Sequence, residues 1–429
     1  MHKSNLPSII SSSSNEVIQS CLIYNEIVFL GLRNGFIEIF EYKTNTLLTD
    51  ITNLFINEEK KTEKELKFNP HSNQIISIQL IKELQTDNNN YKDLLIYIQS
   101  RGGLIFIIKY DISNKRYKLL LKYDTKIETF TEFCLSNKIY RTEWENQIKN
   151  ISNSENIYKI FVPLEKDNEI DILLYTDNYN DYNESCSIDK INQNFDYIID
   201  EDGQKILDVY KDMESKIFQI GILAKNTINN NSSKHINDIV DNYLVMVFEK
   251  TLIFILDEKM NYVSHYSLTF SLKLYESMIN IYSFKFKNYY FICIGLFAKD
   301  LILLKFDGEK LFLYEIIKNI CPEIKYGISC FTYGVVKTND LFVDEELIKN
   351  KFLLFVGTYS KRVKIFEIID YIDDENKEKE NKIINDKNIK FNDLGNLIVD
   401  NSGAINQIHF SEGNLFVVCD RKILYIYSI

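Results

Sequence analysis

The segment Val417–Ile429, "VVCDRKILYIYSI", closes the sequence and decides how the rest of it is interpreted. From Ile423 onward its side chains alternate between two faces, which is the pattern of a β-strand. A turn at Asp420-Arg421 separates this strand from the preceding "NLFVVCD". A hairpin at a chain end leaves an open edge that invites pairing with other chains. We therefore expect another strand of the same chain to cover this edge.

The same hairpin pattern recurs upstream. In "NEIVFLGLRNGFIEIFEY" (25–42), an Arg-Asn-Gly turn joins two apolar strands. The other hairpins turn near residues 102, 167, 250, 299, 360 and 420. Their mean spacing is about 64 residues, whereas WD-type blades repeat every roughly 40–45 residues. We attribute the difference to polar insertions, which are Asn57–Lys67, Ser136–Ser154, Thr176–Asp212, Asn226–Asp238 and Asp373–Asn392. Their composition is too polar to contribute a core.

A short apolar strand precedes each hairpin, such as "VIQSCLI" (17–23), and a fourth strand follows most of them, such as "TLLTDI" (46–51). Four strands per unit, repeated seven times, predict an all-β protein with one domain over 1–429, a seven-bladed WD40-like β-propeller. We place the blades at 17–51, 74–121, 127–188, 217–268, 280–316, 327–400 and 404–429. Residues 6–10 would complete the last blade and close the ring. Two or three unrelated β-domains are the alternative arrangement.

Composition limits the class of protein. The 429 residues are 45% hydrophobic and include 28 Tyr and 28 Phe, which is ample material for a large core. A formal net charge of −11 argues against nucleic acid or an anionic membrane as the main partner, because both require a basic surface. The 7 Cys form no C-x-x-C pair, which favours free thiols in a reducing compartment. No signal peptide begins the chain, and Tyr289–Phe297 is too short to span a membrane. We expect a soluble intracellular protein.

The sequence contains no catalytic motif. Spacings typical of zinc ligands, phosphate-binding loops, dinucleotide-binding loops and nucleophile elbows are absent. His409 lies on a predicted strand and is interpreted as a hydrogen-bonded core residue. The cysteines on predicted strands are interpreted as apolar core side chains, namely Cys21, Cys134, Cys293, Cys330 and Cys419. We therefore assign no catalytic, cofactor-binding or metal-binding residue, predict a non-enzyme, and leave the partner-binding residues unassigned.

Three surface features have open interpretations. Trp144 lies in a polar insertion and either anchors a partner or packs a short helix onto a blade. The acidic segment "DYIDDENKEKENK" (370–382) is a solvated loop or a docking site for a basic partner. Phosphoinositide-binding propellers carry two adjacent arginines, whereas the turns at Arg33 and Arg101 each have one. This last difference disfavours lipid binding.

Two stretches resemble the ASTRA-associated WD-repeat family, whose animal members are called guanine nucleotide-binding protein β-subunit-like. In "FLGLRNGFIEIFEYKTNTLL" (29–48), Gly31, Gly35 and Thr44 match the family, and Phe40-Glu41 replaces its Trp-Asp pair. In the third blade, "IETFTEFCL" (127–135) followed by Pro163 and "NEIDILLY" (168–175) is similar to a strand pair of that family. The matching residues lie at turns and core strands.

The resemblance implies a nuclear scaffold, also present in the cytoplasm, that belongs to the ASTRA assembly. Its implied protein partners are the Tel-two/Tti co-chaperone, the RuvB-like AAA+ ATPases and the Tra-type kinase-related proteins. The implied roles are chromatin remodelling and maturation of phosphatidylinositol-3-kinase-related kinases, without direct binding to nucleic acid or membrane. A trafficking or phosphoinositide-binding propeller and a WD-repeat hydrolase remain the alternatives.

Overall fold

The computed structural model describes residues 7–55, 72–84, 92–129, 132–135, 156–164, 169–180, 183–195, 205, 217–223, 243–248, 252–257, 260–272, 278–287, 289–297, 300–320, 327–339, 348–370, 389–399 and 403–429. Over these ranges the strands form seven four-stranded sheets in which neighbouring strands are antiparallel. This confirms the predicted seven-bladed β-propeller.

In six of the seven blades the four strands follow one another in the sequence, and in every blade the first strand after the preceding blade lies innermost. Blades 1 and 2 contain β2 (Ile18–Tyr24), β3 (Ile27–Leu32), β4 (Ile37–Glu41), β5 (Thr46–Ile51), β6 (Ile75–Leu84), β7 (Asp93–Ser100), β8 (Leu104–Asp111) and β9 (Arg116–Asp124). Blades 3 and 4 contain β10 (Cys134–Leu135), β11 (Asn156–Pro163), β12 (Glu169–Asn180), β13 (Asn183–Asn194), β14 (Ile217–Leu223), β15 (Tyr243–Phe248), β16 (Leu252–Leu256) and β17 (Tyr262–Ser267). A short helix, α1 (Leu268–Leu272), follows β17.

The remaining three blades repeat this order. Blades 5 and 6 contain β18 (Met278–Phe286), β19 (Tyr289–Leu296), β20 (Leu301–Phe306), β21 (Leu311–Ile317), β22 (Ile328–Asn339), β23 (Ile348–Thr358), β24 (Arg362–Asp370) and β25 (Ile389–Ile398). Blade 7 contains β26 (Ile405–Ser411), β27 (Asn414–Cys419) and β28 (Ile423–Ser428), and its outer strand is β1 (Ser8–Ser11). No helix of the described ranges is long and apolar enough to cross a membrane.

The N-terminal strand closes the ring as predicted. β1 pairs with β28 in antiparallel register, with Ser8 opposite Ile426 and Ser11 opposite Ile423. Ile10 is only 1% exposed and lies in a cluster that joins blade 7 to blade 1. The edge of β28 is therefore covered by the same chain, and the alternative of unrelated β-domains is wrong.

The core lies between the blades. The two middle strands of a blade are buried on both faces, because each sheet packs against a neighbour on either side. In β20, for example, all six residues are buried. Each cluster of buried side chains accordingly draws on adjacent blades. The cluster around Phe29 also contains Phe106 from blade 2, and the cluster around Phe291 also contains Phe366 from blade 6. Burial of these aromatic and branched side chains makes the disc rigid.

A β-bulge recurs near the start of the innermost strands. The register shifts by one residue at the second position of β2, β6, β14, β18, β22 and β26. A bulge inserts one unpaired residue and bends the strand. In four of these strands, the bulged residue lines the central cavity described below.

Blade 3 departs from the sequence prediction. A strand was expected over 127–135, but the described part of that stretch is extended only at Cys134–Leu135. The stretch before it is held by other contacts: Thr129 N–H donates to the carbonyl of Arg101 at 2.9 Å. The outer strand β13 occupies Asn183–Asn194, inside a segment expected to be a polar insertion. It is polar because an outermost strand has one face in solvent.

Candidate functional site

The candidate site is a cavity in the central channel, with a volume of about 470 Å³. Pockets of this size are typical of sites for small molecules or single side chains. It is lined by Glu132, which precedes β10, by Tyr359 from a turn, and by residues in the first half of the innermost strands. These strand residues are Gln19, Ile76, Asn280, Ile281, Tyr282, Ser329, Cys330, Phe331, Thr332, Ile405, Asn406, Gln407, Ile408 and His409.

The recurrent bulge explains why polar side chains line the channel. Gln19, Ser329 and Asn406 each follow an isoleucine whose side chain is fully buried between blades. The extra residue of the bulge breaks the strict alternation of faces, so these side chains point to the channel while the chain on either side remains in the core. Ile76 occupies the same position in blade 2.

Glu132 contributes the one carboxylate of the described lining. It directly precedes Phe133, whose N–H donates to Gln99 Oε1 at 2.7 Å and whose ring is buried between blades 2 and 3. Burial raises the pKa of the Glu132 carboxyl to about 7, and a hydrogen bond with the Ser77 side chain opposes the rise. The surroundings of Glu132 therefore disfavour its ionised form.

A glutamine connects Glu132 to the other side of the channel. Gln407, from blade 7, donates from Nε2 to Glu132 Oε1 at 3.5 Å, and its Oε1 accepts from the N–H of Cys21 at 2.8 Å. Blades 5 and 6 are joined by a similar contact, in which Asn280 Nδ2 donates to the carbonyl of Ser329 at 2.6 Å. These polar contacts fix the positions of side chains on different blades.

His409 lies deeper in the same channel wall. The sequence predicted a hydrogen-bonded core histidine. Instead, the side chain lines the cavity, and its buried Nε2 has no hydrogen-bond partner among the described residues. Burial lowers the pKa of His409 to about 4, so the imidazole is neutral at physiological pH.

Burial disfavours the thiolate form of the cysteines near the channel. Burial raises the pKa of Cys134 and of Cys330 to about 12, and raises that of Cys21 as well. A thiol is nucleophilic only as the thiolate. The predicted role as apolar core side chains fits the full burial of Cys21, Cys293 and Cys419. No group of three or more His, Cys, Asp or Glu in the part of the chain that the structure describes is placed to hold a metal ion.

The cavity opens on one face of the disc, which we call the channel face. This face carries the turns between the two middle strands of each blade, at Arg33, Arg101, Tyr359 and Arg421. The turns lie beside the starts of the innermost strands: Arg33 N–H donates to the carbonyl of Val17 at 2.9 Å, and Tyr359 N–H to that of Gly327 at 3.1 Å.

Two exposed aromatic side chains flank Gly327 on the channel face. Tyr359 lines the cavity and is 38% exposed, and Phe297 is 55% exposed. A Cβ atom on Gly327 would lie 2.7 Å from the Cα of Phe297. With the hydrogen bond from Tyr359 N–H, the backbones of both aromatic residues therefore contact the same glycine. Exposed aromatic side chains beside a cavity are typical of protein-binding surfaces.

Basic side chains surround the same opening. Arg33, Lys361, Arg421 and Lys422 are exposed in the turns of three consecutive blades. Arg101 in the next blade is half-buried, with its Nε 3.9 Å from Glu128 Oε1. Arg33 and Arg101 therefore lie on neighbouring blades of one face, and each turn has a single arginine, as the sequence indicated.

The sequence did not predict the cavity. Two of the surface features that it did single out lie outside the described residues. Trp144 and all but the first residue of the acidic segment 370–382 lie outside the described residues. The signal for the lining residues was available in the sequence. An isoleucine, any residue, a polar or small residue and an apolar residue recur as "IQSC" (18–21), "IISI" (75–78), "ISCF" (328–331) and "INQI" (405–408). In a regular strand, the first and fourth residues of this pattern would face opposite sides. A bulge adds one residue and lets both of them face the core.

Solved structures of similar fold extend over nearly the whole chain. Saccharomyces cerevisiae Sqt1 matches with a TM-score of 0.50 at 8% identity, covering 98% of this chain and 99% of that one. The β-propeller domain of Myceliophteria thermophila Cps50 (Swd1) matches with a TM-score of 0.50 at 8% identity and 99% coverage of both chains. Chaetomium thermophilum Raptor matches with a TM-score of 0.52 at 12% identity over 98% of this chain, which spans only 28% of Raptor.

The fold is a WD40-type β-propeller. No protein-family model matches the sequence, and no curated protein matches it. Identities of 8–12% establish the fold alone, because one fold supports many unrelated functions. Function must therefore be argued from the cavity and the channel face.

Proposed function

We propose that the protein is a non-catalytic scaffold that binds other proteins through the channel face of its propeller. One observation carries this proposal: Phe297 and Tyr359 are exposed in turns whose backbones both contact Gly327, and Tyr359 lines a polar cavity there. Aromatic side chains at the centre of a surface contribute much of the binding energy in protein interfaces. A rigid scaffold carrying them loses little conformational entropy on binding.

A non-catalytic role fits the chemistry of the channel. The thiol pKa values of Cys21 and Cys330 are raised by burial, and His409 Nε2 contacts no hydroxyl or thiol among the described residues. Nucleophilic catalysis requires a nucleophile within hydrogen-bond reach of a base. The WD-repeat hydrolase alternative is tested by incubating the purified protein with ester substrates, where sustained turnover would contradict the proposed role.

Within this class, we place the protein in the ASTRA assembly. The resemblance of residues 29–48 and of the third blade to the ASTRA-associated family supports this placement. It implies a nuclear location, partners among the Tel-two/Tti co-chaperone, the RuvB-like ATPases and the Tra-type proteins, and a role in kinase maturation and chromatin remodelling. Two matching glycines have structural roles: Gly35 has a φ of 90°, and a Cβ on Gly31 would lie 2.4 Å from Ser20 Oγ.

Affinity purification of the tagged protein from its own cells, followed by mass spectrometry, tests this placement. We expect the kinase-maturation co-chaperones among the enriched proteins, at levels above those of a tagged unrelated propeller. Enrichment of other proteins without the co-chaperones would discard the ASTRA placement and retain the scaffold role. Recovery of no specific partner would contradict both.

The basic turns are the observation that favours a second candidate, an anionic lipid surface. Arg33, Lys361 and Arg421 are exposed on one face, and positive side chains near a membrane attract anionic headgroups. Flotation with liposomes containing phosphoinositides tests this candidate. Flotation that depends on Arg33 and Arg421 would support it, and absence of flotation leaves the scaffold role.

A further inference from the structure

We infer that the channel cavity is a binding site for one basic side chain, a guanidinium or an ammonium group carried on a partner polypeptide, with Glu132 as its counter-charge. This inference deepens the proposed scaffold function, because it identifies the part of a partner that the channel face recognises. The chemistry of the lining supports it, together with the position of the carboxylate and the lack of a Lys or Arg in the described part of the lining.

The lining is rich in hydrogen-bond acceptors. Carboxamide groups line the cavity at Gln19 and Asn406, and hydroxyl oxygens at Ser329 and Thr332. A guanidinium group has five N–H donors and an ammonium group has three. A cation placed among these acceptors can satisfy its donors without water, which a buried charge requires.

Among the residues that the structure describes, no cationic side chain contacts the carboxylate of Glu132. No Lys or Arg belongs to the described lining, and the polar contacts of Glu132 are with Ser77 and Gln407. His409 is the one basic side chain in the described part of the lining, and burial, which lowers its pKa to about 4, keeps it neutral. Glu132 is half-buried, and the surrounding protein disfavours its ionised form, as the raised pKa shows; an incoming cation would stabilise that form.

Aromatic side chains also belong to the lining. Tyr282 and Phe331 stack with their ring centroids 6.4 Å apart, and Tyr359 lies at the mouth. The faces of aromatic rings attract cations, and their flat sides accommodate the methylene groups that precede the charge. The cavity therefore suits a long unbranched side chain ending in a positive group.

The charged residues around the cavity opening indicate which partner residues can flank the inserted side chain. The exposed residues Arg33, Lys361, Arg421 and Lys422 repel further positive charge at the surface. A basic residue flanked by acidic residues would fit both the channel and its rim. The preferred segment is thus a single Arg or Lys within an acidic sequence.

Binding should depend on pH because it requires the ionised carboxylate. The titratable groups that interact with Glu132 from neighbouring strands are Cys21, Tyr97, Cys134 and Cys330, and burial raises the pKa of each. They remain neutral up to pH 8.5, and His409 is neutral above pH 5.5. With a Glu132 pKa of about 7, affinity should rise as pH increases from 5.5 to 8.5, by about thirtyfold if only the ionised form binds.

The experiment is a calorimetric titration of the full chain with three acetylated and amidated pentapeptides, Glu-Glu-X-Glu-Glu, in which X is arginine, lysine or citrulline. Citrulline keeps the shape of arginine without the charge. We expect the arginine or the lysine peptide to bind at least about tenfold more tightly than the citrulline peptide at pH 8.5. The two charged peptides distinguish a guanidinium site from an ammonium site.

The matched variants are Glu132→Gln, which keeps the shape and the hydrogen-bonding capacity, and Glu412→Gln, which removes an exposed carboxylate from a turn on the other face. Glu132→Gln should weaken binding of the charged peptide about tenfold or more and abolish the pH dependence, and Glu412→Gln should change neither. Thermal melting confirms that both variants are folded. No binding by any peptide, equal binding of citrulline, or full binding by Glu132→Gln would overturn the inference.

These outcomes are separable from failure of the scaffold role. A Glu132→Gln protein that still recovers the full set of cellular partners, while binding no basic peptide differently from wild type, refutes the channel site alone. If purification of the wild-type protein recovers no specific partner, the scaffold role itself is refuted.

Discussion

The carboxylate of Glu38 accepts a hydrogen bond from the backbone N–H of Ser13 at 2.9 Å, across 25 residues of sequence. The same carboxylate accepts from the Ser13 hydroxyl and from the N–H of Ser14, both at 2.8 Å, and Glu38 is only 2% exposed. Since these serines directly follow β1, Glu38 of blade 1 fixes the segment that closes blade 7. Ring closure therefore rests on polar contacts as well as on strand pairing.

Replacement of Glu38 tests this contact. Glu38→Ala leaves two backbone N–H groups without their acceptor, and hydrogen bonds to charged groups contribute roughly 1.5–3 kcal/mol each. We expect the free energy of unfolding in urea to fall by about 2–3 kcal/mol. Glu26→Ala is the control, because its exposed ion pair with Lys43 should contribute less than about 1 kcal/mol. Equal effects of the two substitutions would show that the contact has no special role.

Removal of the closing strand is a second test. A chain lacking residues 1–12 loses β1 and exposes the edge of β28, along with the apolar surface that Ile10 covers. We expect a melting temperature lower by several degrees and increased aggregation at high concentration. A chain lacking only residues 1–6 keeps β1 and should melt like the full protein. An unchanged melting temperature on removal of 1–12 would contradict closure by this strand.

A close approach between blades 6 and 7 gives a third prediction. A Cβ atom on Gly334 would lie 2.0 Å from Cδ1 of Phe410, and that ring stacks on Phe355 at 5.2 Å. Gly334→Ala should therefore lower the free energy of unfolding by about 1–3 kcal/mol through overpacking. Gly403→Ala, whose Cβ would meet Asp420 at an ordinary 3.6 Å, is the control. Denaturation that does not distinguish the two variants would refute the tight packing.

The buried imidazole predicts a dependence of stability on pH. The pKa of His409 is lowered from 6.5 to about 4 in the folded protein. The unfolded chain therefore binds more protons between these values, and the stability contributed by neutral His409 is lost as pH falls from 6.5 to 4. His409→Gln should gain stability relative to wild type as pH falls through this range. Urea denaturation of both proteins at a series of pH values measures the difference between their free energies of unfolding. A difference that does not change with pH would mean that His409 does not titrate as described.

The repeats and the ring were predictable from sequence because the pattern of a hairpin lies within a short stretch of residues. The turn at Gly35 and the alternation after Ile423 identify strands without knowledge of their neighbours. The order of the blades and the closing role of residues 6–10 then follow from the need to cover sheet edges.

The channel was not predictable by the same means. Glu132 comes from a stretch where an expected strand is interrupted, and its interaction with Gln407 joins residues 275 positions apart. Sequence periodicity carries no information on such a pairing. His409 was misinterpreted for a related reason: position on a strand indicates burial, but whether a partner exists depends on side chains from other blades. The polar strand β13 was missed because an outer strand lacks the apolar alternation used to find the others.

The most direct measurement of the scaffold claim compares partner recovery by surface variants. The paired substitution Phe297→Ser and Tyr359→Ser removes the exposed aromatics of the channel face, and the matched control, Leu47→Ser with Leu119→Ser, removes two similarly exposed apolar side chains from outer strands. Both proteins are purified from cells with bound partners quantified by mass spectrometry. We predict that the aromatic pair lowers recovery of the specific partners about tenfold or more, as loss of central anchors does, while the control recovers them in full. Full recovery with the aromatic pair, or equal loss with the control, would contradict binding through the channel face.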